Sequence, residues 1–543
     1  MLGKLKNNHL LDLNMTQLLH QLLIEQAKHT PTKIAISHKK NNWSFQQLAE
    51  IVKKQALALL SLNLQPGNRV AIYLPKQIET VSSFLAVSQA GGVFVPVNPV
   101  LKAMQVSHIL NDCQVQILIT SKSRLQGLAN ILQHCLELKT IIVVENDAAD
   151  QEQHPYQQIL GWQDFIQRTG KQCLPKIIDS KMAAILYTSG STGKPKGVVL
   201  SQQNIVAGAH SVAEYLNISN EDKLLAVLPF SFDYGLNQLT SALLQGAECI
   251  LFDYLLPRDV IKALDKYKIT GLAAVPPLWA QLATLDWPDS IDQHLRYMTN
   301  SGGKMPKTVL DSLRVKVPSC QFFLMYGLTE AFRSTYLPPD QIDLRPDSMG
   351  KAIPNAEVLV VREDGSPCAP HEPGELVHRG NLVAMGYWND PEKTAERFKA
   401  APGQFKELPL TEIAVWSGDQ VTMDEEGFLY FVGRKDDMLK SSGYRVSPTE
   451  IEEVIYSSGF VKEAAAIGIP DKTLGQIIIV IVSTENPEQF DEAELIKLCK
   501  AQLANFMVPS RIFAVKNLVK NPNGKIDRKL LVNEFSSILE PKH

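Results

Sequence analysis

The sequence lacks the patterns that mark membrane-spanning, secreted and zinc-binding proteins. No apolar run approaches the about 18 residues of a membrane-spanning helix, and the N-terminal residues mix lysine, asparagine and histidine with leucine, unlike a signal peptide. The seven cysteines are scattered, and no Cys-x-x-Cys pair or Cys/His cluster occurs. We therefore expect neither a disulfide framework nor a zinc site, and we expect a location in the reducing cytoplasm.

The sequence also lacks a strong excess of charge, internal repeats and low-complexity tracts. A net charge of −3 gives no electrostatic reason to expect nucleic acid or an anionic membrane as a partner. Apolar residues make up 45% of the chain and charged residues 20%, as in ordinary globular proteins. Because 543 residues exceed what one hydrophobic core usually holds, we expect at least two domains.

The order of apolar patterns predicts an α/β protein. From about residue 12 to 330, short β-branched runs alternate with helix-like segments, such as residues 44–62, which begin with Ser44 as N-cap and Gln47 at the capping-box position. This alternation is typical of a sheet covered by helices. From about 345 to 432 the pattern changes to short strands and turns, which predicts a β-rich subdomain within the same large domain.

A charged break, Gly-Arg-Lys-Asp-Asp at residues 433–437, separates this large part from a small α/β unit. Ser447-Pro448-Thr449-Glu450 is a strong helix start in that unit, with Ser as N-cap, Pro at the first helical position and Glu two positions after it. We predict an N-terminal domain of residues 1–433 and a mobile C-terminal domain of residues 434–543.

The stretch from Tyr187 to Val198 contains the strongest chemical signal. It follows an apolar, strand-like run and consists almost entirely of glycine, hydroxyl and lysine residues. Such a segment can cradle a polyphosphate with backbone amides, hydroxyls and ammonium groups. It is not the standard P-loop, because Gly190 precedes Gly193 by only three residues and Pro195 follows the lysine. The alternative is a solvated Gly/Ser linker.

Three further segments place polar residues directly after apolar runs. Residues 326–330 offer an aromatic ring, a hydroxyl and a carboxylate, residues 301–303 allow a close backbone approach, and residues 416–419 end in an aspartate that suits a ribose. Each is weak alone: Asp419 could be an ordinary turn residue and Glu330 a carboxylate at a helix N-terminus. Together they supply what ATP needs, including a carboxylate for Mg²⁺.

These segments, in this order, resemble the adenylate-forming superfamily, which contains acyl-CoA synthetases, adenylation domains of peptide synthetases, and luciferases. The resemblance covers nearly the whole chain. The matching motifs are Tyr187–Gly197, Tyr326–Ala331, Gly350–Pro354, Gly374–Leu376 with Arg379-Gly380, Ser417–Asp419, Gly433–Lys440, Gly443–Val446 and Asn523–Asp527.

The resemblance implies a reaction in two steps. A carboxylate attacks the α-phosphate of ATP to give an acyl-adenylate and pyrophosphate. A thiol, belonging to CoA or to the phosphopantetheine arm of a carrier protein, then displaces AMP. Preorganised cations favour the first step, because an anion approaches an anion and negative charge grows on the leaving group. No covalent enzyme nucleophile is implied, and the sequence has no recognisable Ser/His or Cys/His arrangement.

The resemblance also assigns roles to residues of this sequence. Lys525 would bridge the substrate carboxylate and the α-phosphate, and Thr188 and Glu330 would hold Mg²⁺. The remaining nucleotide-binding residues would be Ser189, Gly190, Ser191, Thr192, Gly193 and Lys196 around the β- and γ-phosphates, Thr329 at the α-phosphate, Asp419 and Arg434 at the ribose, and Tyr326 with Gly302 and Gly303 at the adenine.

Rotation of the small domain is a further implication of the resemblance. Asp436 matches the hinge position, and rotation would remove Lys525 and bring in the segment 443–445, including Arg445. A charged break between two compact units is also where a hinge is expected from the sequence alone. Without the resemblance, Lys525 would be interpreted as a solvated lysine in a turn.

The substrate acid is the least determined part of the prediction. In amino-acid-activating relatives, the motif Phe232-Asp233 has an Asp that accepts the substrate ammonium, whereas acyl- and aryl-CoA ligases usually have an apolar residue there. A buried carboxylate beside a fatty or aryl tail is costly unless a cation meets it. A zwitterionic amino acid would supply that cation; the alternative role for Asp233 is a helix N-cap.

The other pocket positions implied by the resemblance mix small and polar residues. We therefore expect a small, proline-like amino acid loaded onto a separate carrier protein by a free-standing enzyme. The alternatives are an acyl- or aryl-CoA ligase and, less favoured because Lys525, Glu330 and Asp419 are intact, a non-catalytic binding relative. The pocket positions are Asn237, Ala274, Thr299, Ser301, Met325, Arg333 and Ser334, in addition to Phe232 and Asp233.

Overall fold

Three β-sheets organise the chain. The computed structural model describes residues 18–145, 157–168, 173–188, 195–405, 407–434, 439–441, 444–471, 475–503, 507–522 and 524–539. Up to residue 201 its elements are α1 (Leu19–His29), β1 (Ile34–His38), β2 (Asn41–Ser44), α2 (Phe45–Ser61), β3 (Arg69–Tyr73), α3 (Ile78–Gln89), β4 (Val93–Pro96), α4 (Ala103–Asp112), β5 (Ile117–Thr120), α5 (Lys122–Leu132), β6 (Thr140–Val143), β7 (Gln158–Gly161), α6 (Trp162–Ile166), β8 (Met182–Thr188) and β9 (Lys196–Ser201).

The middle of the chain continues the same alternation and then becomes rich in strands. Its elements are α7 (Gln202–Tyr215), β10 (Lys223–Ala226), α8 (Asp233–Gln245), β11 (Glu248–Leu251), α9 (Pro257–Tyr267), β12 (Gly271–Ala274), α10 (Pro276–Ala283), β13 (Tyr297–Asn300), α11 (Lys307–Lys316), β14 (Gln321–Tyr326), β15 (Thr335–Leu337), β16 (Ser348–Ala352), β17 (Ala356–Val361), β18 (Gly374–Gly380), α12 (Pro391–Arg397), β19 (Phe398–Ala400), β20 (Ile413–Met423) and β21 (Leu429–Arg434).

The C-terminal elements form a unit with its own sheet. They are β22 (Leu439–Ser441), β23 (Tyr444–Val446), α13 (Pro448–Ser457), β24 (Glu463–Asp471), β25 (Gly475–Ser483), α14 (Glu492–Gln502), β26 (Arg511–Val515) and α15 (Arg528–Leu539). The predicted helix start at Ser447 is confirmed, with Ser447 preceding α13 and Pro448 opening it.

The first sheet has seven strands in the order β7-β6-β5-β3-β4-β8-β9. Its strands are parallel except at the β8–β9 edge, where Thr188 lies opposite Lys196. The predicted helix N-cap at Ser44 is also confirmed: the Ser44 hydroxyl accepts the backbone N–H of Gln47, and the Gln47 amide oxygen accepts the N–H of Ser44. These features confirm the predicted α/β class.

The second sheet has 14 strands and combines a parallel part with an antiparallel part. Its parallel part contains β14, β13, β12, β10, β11 and β1, and its antiparallel part runs through β15 and β16 to β17–β21. The β-rich region predicted for residues 345–432 is therefore present, but it extends the same sheet. The alternation from about residue 12 to 330 suggested one sheet, whereas these strands are divided between two sheets, and β1 pairs in parallel with β11. Local patterns identify strands, but the neighbour of a strand depends on packing between distant segments.

The C-terminal sheet has five strands and a hydrophobic core on each face. Along β24, Ala464 and Ala466 pack towards α13 and α14, whereas Ala465 and Ile467 pack towards α15. This division follows from the two-residue period of a strand, which sends alternate side chains to opposite faces. Among the described helices, none has both the length and the apolarity needed to cross a membrane.

The C-terminal unit rests on the edge of the large sheets where their polar loops meet. The amide of Asn98, after β4, donates a hydrogen bond of 3.1 Å to the backbone carbonyl of Pro522. Lys304, after β13, forms ion pairs with Glu453 of α13 at 2.5 Å and with Asp347 at 3.0 Å. These contacts hold the turn that carries Lys525 over the ends of β12, β13 and β14.

Candidate active site

The candidate site lies at the carboxyl ends of three neighbouring parallel strands. In the register of β12, β13 and β14, Ala274 is opposite Asn300 and Asn300 is opposite Leu324. The segments predicted to bind nucleotide and acid follow these strand ends, which is where open α/β sheets form their ligand sites. The register explains why residues 274, 299–303 and 325–334 meet although they are distant in sequence.

Lys525 extends from the C-terminal unit into this region. A Cβ atom on Gly302 would lie 3.4 Å from Lys525 Cε, and the Lys525 ammonium lies 5.8 Å from the centre of the Phe232 ring. The residue retains an exposed surface along the cleft, but its ammonium lies where protein surrounds it. Desolvation, reinforced by the charge of Arg434, lowers the pKa of Lys525, and three carboxylates, those of Asp233, Asp419 and Glu330, act in the opposite direction.

Asp419 is a buried carboxylate beside the strand ends, with the partly buried Tyr326 and the exposed Arg434 as its partners. Tyr326 donates its hydroxyl proton to one carboxylate oxygen, and Arg434 Nε donates to the other at 3.1 Å. Asp419 and Arg434 are opposite each other on β20 and β21, which fixes their pairing. Burial raises the pKa of Tyr326, and the negative charge of Asp419 raises it further, so the phenol stays protonated and remains a donor. The predicted adenine and ribose contacts of these three residues stay predictions.

Glu330 is linked through Tyr387 to the ends of the phosphate-loop motif, the stretch of residues 187–198 predicted to bind polyphosphate. Tyr387 donates its hydroxyl to Glu330 Oε1 at 2.5 Å, and the Lys196 ammonium lies 5.5 Å from the centre of the Tyr387 ring. Lys196 is opposite Thr188 across the β8–β9 edge. The structure thus brings Thr188, Lys196 and Glu330 to one region. The predicted phosphate-binding residues Ser189, Gly190, Ser191, Thr192 and Gly193 lie outside the described residues, and so does the predicted hinge residue Asp436.

Asp233 does not need a cation from the substrate, and this corrects the argument made from the sequence. Its carboxylate is buried, and Oδ2 accepts a hydrogen bond of 2.9 Å from Nη1 of Arg333, whose side chain is 2% exposed. Thr329 donates its hydroxyl to Oδ1 at 3.1 Å. The cation expected from a zwitterionic amino acid is therefore supplied by Arg333 instead. The alternative role as an N-cap is wrong: Asp233 is the first residue of α8, and the N-cap is Phe232.

A strained turn positions Arg333. Phe332 has φ +57° and ψ −54°, a conformation that non-glycine residues rarely adopt, and Arg333 N–H donates to the Ala331 carbonyl across it at 2.6 Å. The Phe332 ring is fully buried, and a Cβ atom on Gly208 would lie 2.3 Å from it. The guanidinium lies 4.5 Å from the centre of the Tyr234 ring. Packing around Phe332 thus maintains the turn that directs Arg333 towards Asp233.

The remaining predicted pocket residues are buried around this ion pair. Asn237 lies one helical turn after Asp233, and the Thr299 hydroxyl bonds Tyr234 at 2.5 Å. Met325 Sδ accepts the hydroxyl of Tyr215 at 3.0 Å. Ala274, Ser301 and Ser334 are also buried, whereas Phe232 is partly exposed. Gly303 accepts from the Asn300 amide at 2.9 Å, and Arg445 lies in β23 of the C-terminal sheet.

Three residues of the site were missed in the sequence. Tyr387 contacts Glu330, Tyr234 supports both Thr299 and Arg333, and His378 bonds the Ser334 hydroxyl at 3.0 Å. Burial lowers the pKa of His378 to about 4, so its ring is neutral near pH 7. Tyr387 and His378 have no local signal, because their partners are distant in sequence. Tyr234 directly follows Asp233 and could have been considered with it.

Comparison with known sequences identifies the family. The family model described as AMP-binding enzyme matches residues 23–388, and the one described as AMP-binding enzyme C-terminal domain matches residues 450–525. The chain is 30% identical to a linear gramicidin synthase of Brevibacillus parabrevis over 94% of its own length, but it spans only 6% of that protein. It is 29% identical to a long-chain-fatty-acid–CoA ligase of Bacillus subtilis over 95% of its own length and 94% of the ligase.

Comparison with solved structures gives the same result for the fold. O-succinylbenzoate coenzyme A synthetase from Bacillus subtilis, in complex with ATP and magnesium ion, is 26% identical, with a TM-score of 0.79 over 94% of this chain and 98% of that one. ATP-bound MatB from Rhodopseudomonas palustris is 24% identical, with a TM-score of 0.84 over 97% of this chain and 100% of that one, which shows a common fold.

The site and the comparisons agree on the type of chemistry. Two family models together cover both the strand-end region and the turn that carries Lys525. The chain therefore belongs to the AMP-binding enzyme family, and it is an ATP-dependent, AMP-forming ligase that uses ATP and Mg²⁺.

Proposed function

We propose that this ligase joins a carboxylic acid to coenzyme A through an acyl-adenylate. The observation that carries the proposal is the internal ion pair of Asp233 with Arg333. Because Arg333 already meets the buried negative charge, the acid does not need an ammonium group to enter the pocket. A relative that matches this chain over most of both lengths, the long-chain-fatty-acid–CoA ligase of Bacillus subtilis, supports the same choice.

In the proposed first step, a carboxylate oxygen of the acid attacks the α-phosphorus of ATP, and the bond to the pyrophosphate oxygen breaks. Lys525 would meet both anions at the strand ends, where its ammonium lies near Gly302 and Phe232. The Thr329 hydroxyl donates to Asp233 in this structure, and it would have to leave that acceptor to donate to the α-phosphate. These positively polarised groups reduce the repulsion between the reacting anions.

The residues that would hold Mg²⁺ fit that ion. Magnesium prefers oxygen ligands, and the side chains of Glu330 and Thr188 offer a carboxylate and a hydroxyl. Tyr387 uses one Glu330 oxygen, Oε1, and its link to Lys196 keeps this carboxylate near the phosphate-loop motif. The ion would offset charge on the departing pyrophosphate.

In the proposed second step, the CoA sulfur attacks the acyl carbon, the bond between this carbon and the AMP oxygen breaks, and the thiol proton leaves to solvent. Lys525 is not required for this step, because AMP departs without a second attack on phosphorus. Movement of the C-terminal unit would have to break the contacts of Asn98 with Pro522 and of Lys304 with Glu453. Lys304 and Glu453 are both partly exposed, and an exposed ion pair contributes little to stability, whereas the Asn98 amide is buried.

The first experiment measures which acids the enzyme activates and which thiol receives them. We expect ATP–pyrophosphate exchange with simple carboxylic acids, and, when CoA is added, formation of AMP and the acyl-CoA thioester in equal amounts, measured by mass spectrometry. Exchange that requires an amino acid, with transfer only to a carrier protein's phosphopantetheine, would instead support the carrier-loading function and contradict this proposal.

The second experiment separates the two half-reactions. In Lys525→Ala, we expect acid-dependent ATP–pyrophosphate exchange to fall by on the order of 10²-fold or more, because a preorganised charge at the transition state is lost. Thioester formation from a synthetic acyl-adenylate and CoA should stay within about threefold of the wild type, as no phosphate is attacked in that step.

The matched control is Lys529→Ala, which removes an exposed lysine from α15 of the same unit. It should retain both half-reactions. Normal exchange in Lys525→Ala would show that the lysine has no part in adenylation, and equal loss of both half-reactions would indicate a structural defect rather than a role in the first step.

A further inference from the structure

The buried ion pair leaves several hydrogen-bond donors without a partner. Among the residues that the structure describes, Arg333 Nε, Arg333 Nη2 and Asn237 Nδ2 are buried and have no acceptor. Arg333 is 2% exposed and Asn237 is fully buried. A buried donor without an acceptor is destabilising, and such groups in a predicted pocket indicate that a ligand completes the hydrogen bonding.

These donors belong to one end of the predicted acid pocket. Asp233 and Asn237 are four residues apart on α8, so they lie on the same face of the helix. Arg333 is bonded to Asp233, and Asp233 is bonded to Thr329 at the reaction centre. Only two hydrogen bonds, through Asp233, connect Arg333 to Thr329 at the reacting end of the pocket. We therefore expect the pocket to hold a short acid.

The charges of Asp233 and Arg333 determine which polar group of a substrate can bind at this end of the pocket. Asp233 and Arg333 already balance each other. A second carboxylate on the substrate would place two anions against one guanidinium, and an ammonium would face donors that cannot accept its protons. An alkyl end would leave all three donors unpaired. A neutral oxygen acceptor meets the donors without adding charge.

We infer that the substrate is a short carboxylic acid with a neutral hydrogen-bond acceptor, such as a keto, hydroxyl or carboxamide oxygen, at the end remote from the reacting carboxylate. The inference rests on the proposed acid–CoA ligase function. Arg333 and Asn237 donate to this oxygen. Of the two specificity-determining residues, Asn237 can be replaced with less risk of misfolding than Arg333, because Asn237 carries no charge and takes no part in the ion pair.

The test compares acids of equal length. CoA thioester formation is measured with 4-oxopentanoate, 4-hydroxypentanoate, pentanoate, pentanedioate and 4-aminopentanoate. We expect kcat/KM for the oxo and hydroxy acids to exceed that for pentanoate by on the order of tenfold or more, with the charged analogues below both. Equal use of pentanoate and 4-oxopentanoate by the wild type would overturn the inference while leaving the proposed function intact.

The Asn237→Leu variant tests the assignment within the chain. It should reduce the preference for 4-oxopentanoate over pentanoate by about fivefold to tenfold, because one donor is replaced by an apolar group of similar size. Gln238→Leu on the same helix is the control, since the Gln238 amide donates within the helix, to the Tyr234 carbonyl. An unchanged preference in Asn237→Leu would also overturn the inference. No thioester with any acid, but exchange with amino acids, would show instead that the proposed function is wrong.

A second, independent observation concerns the residues that adjoin Thr188 and Lys196. Tyr187 donates its hydroxyl to Asp112 Oδ2 at 2.5 Å, and His108 Nε2 donates to the Pro195 carbonyl at 3.0 Å. His108 and Asp112 are four residues apart on α4, so one face of a single helix holds both flanks of the phosphate-loop motif.

The same helix is tied to the segment that reaches Glu330. Trp388 donates its indole N–H to the Asp112 carbonyl at 2.9 Å and its backbone N–H to the Gly197 carbonyl at 2.7 Å. Its neighbour Tyr387 bonds Glu330. We propose that His108 and Asp112 are positioning residues, which fix Thr188 and Lys196 relative to Glu330 and so set the affinity for the triphosphate.

The Asp112→Ala variant tests this second proposal. We expect KM for ATP in ATP–pyrophosphate exchange to rise by on the order of tenfold with a smaller change in kcat, because the flank of Thr188 is no longer held. Thioester formation from a preformed adenylate, which involves no triphosphate, should be unaffected. Asp112→Asn, which keeps an acceptor oxygen, should recover most of the affinity.

Asn111→Ala is the control on the same helix, where the exposed Asn111 amide bonds mainly to Ser107 of the preceding turn. An unchanged KM for ATP in Asp112→Ala would overturn the positioning role. Equal loss of both half-reactions would also overturn it, because it would indicate general misfolding.

Discussion

The buried contact between Asp233 and Arg333 is the interaction on which the rest of the site depends. Two opposite charges, each almost fully enclosed, are stable only together, because either one alone would be left without water or a partner. Their pairing neutralises the end of the acid pocket. It also connects α8 to the segment after β14, and Thr329 extends that connection to the position expected for the α-phosphate.

Several features of the fold serve to place this pair. Parallel strands bring Asn300 and Tyr326 to one edge of the sheet, the strained turn at Phe332 directs Arg333 inwards, and the small residue Gly208 leaves room for the Phe332 ring. The strain is maintained by surrounding packing, as is common near functional sites. Lys525 belongs to the C-terminal unit and lies next to Gly302 and Phe232 at the strand ends. The ammonium at the proposed reaction centre therefore comes from outside the large sheet.

The sequence predicted the class, the nucleotide motifs and the loops at strand ends, because these depend on local composition and spacing. It did not predict charge pairing: Asp233 and Arg333 are separated by 100 positions, and no local pattern shows that one meets the other. The argument that Asp233 needs a cation from the substrate was wrong for this reason. Tyr387 was missed in the same way, since its partner Glu330 lies 57 positions away.

A double-mutant cycle on this pair tests the central claim most directly. The free energy of unfolding of the large domain would be measured in urea for Asp233→Leu, Arg333→Met and both together. We expect each single variant to lose about 3–5 kcal/mol, since a buried charge is left unpaired, and the double variant to recover at least half of that loss. Additive losses, or an Asp233→Leu variant that is as stable as the wild type but no longer supports exchange with an amino acid, would contradict internal neutralisation.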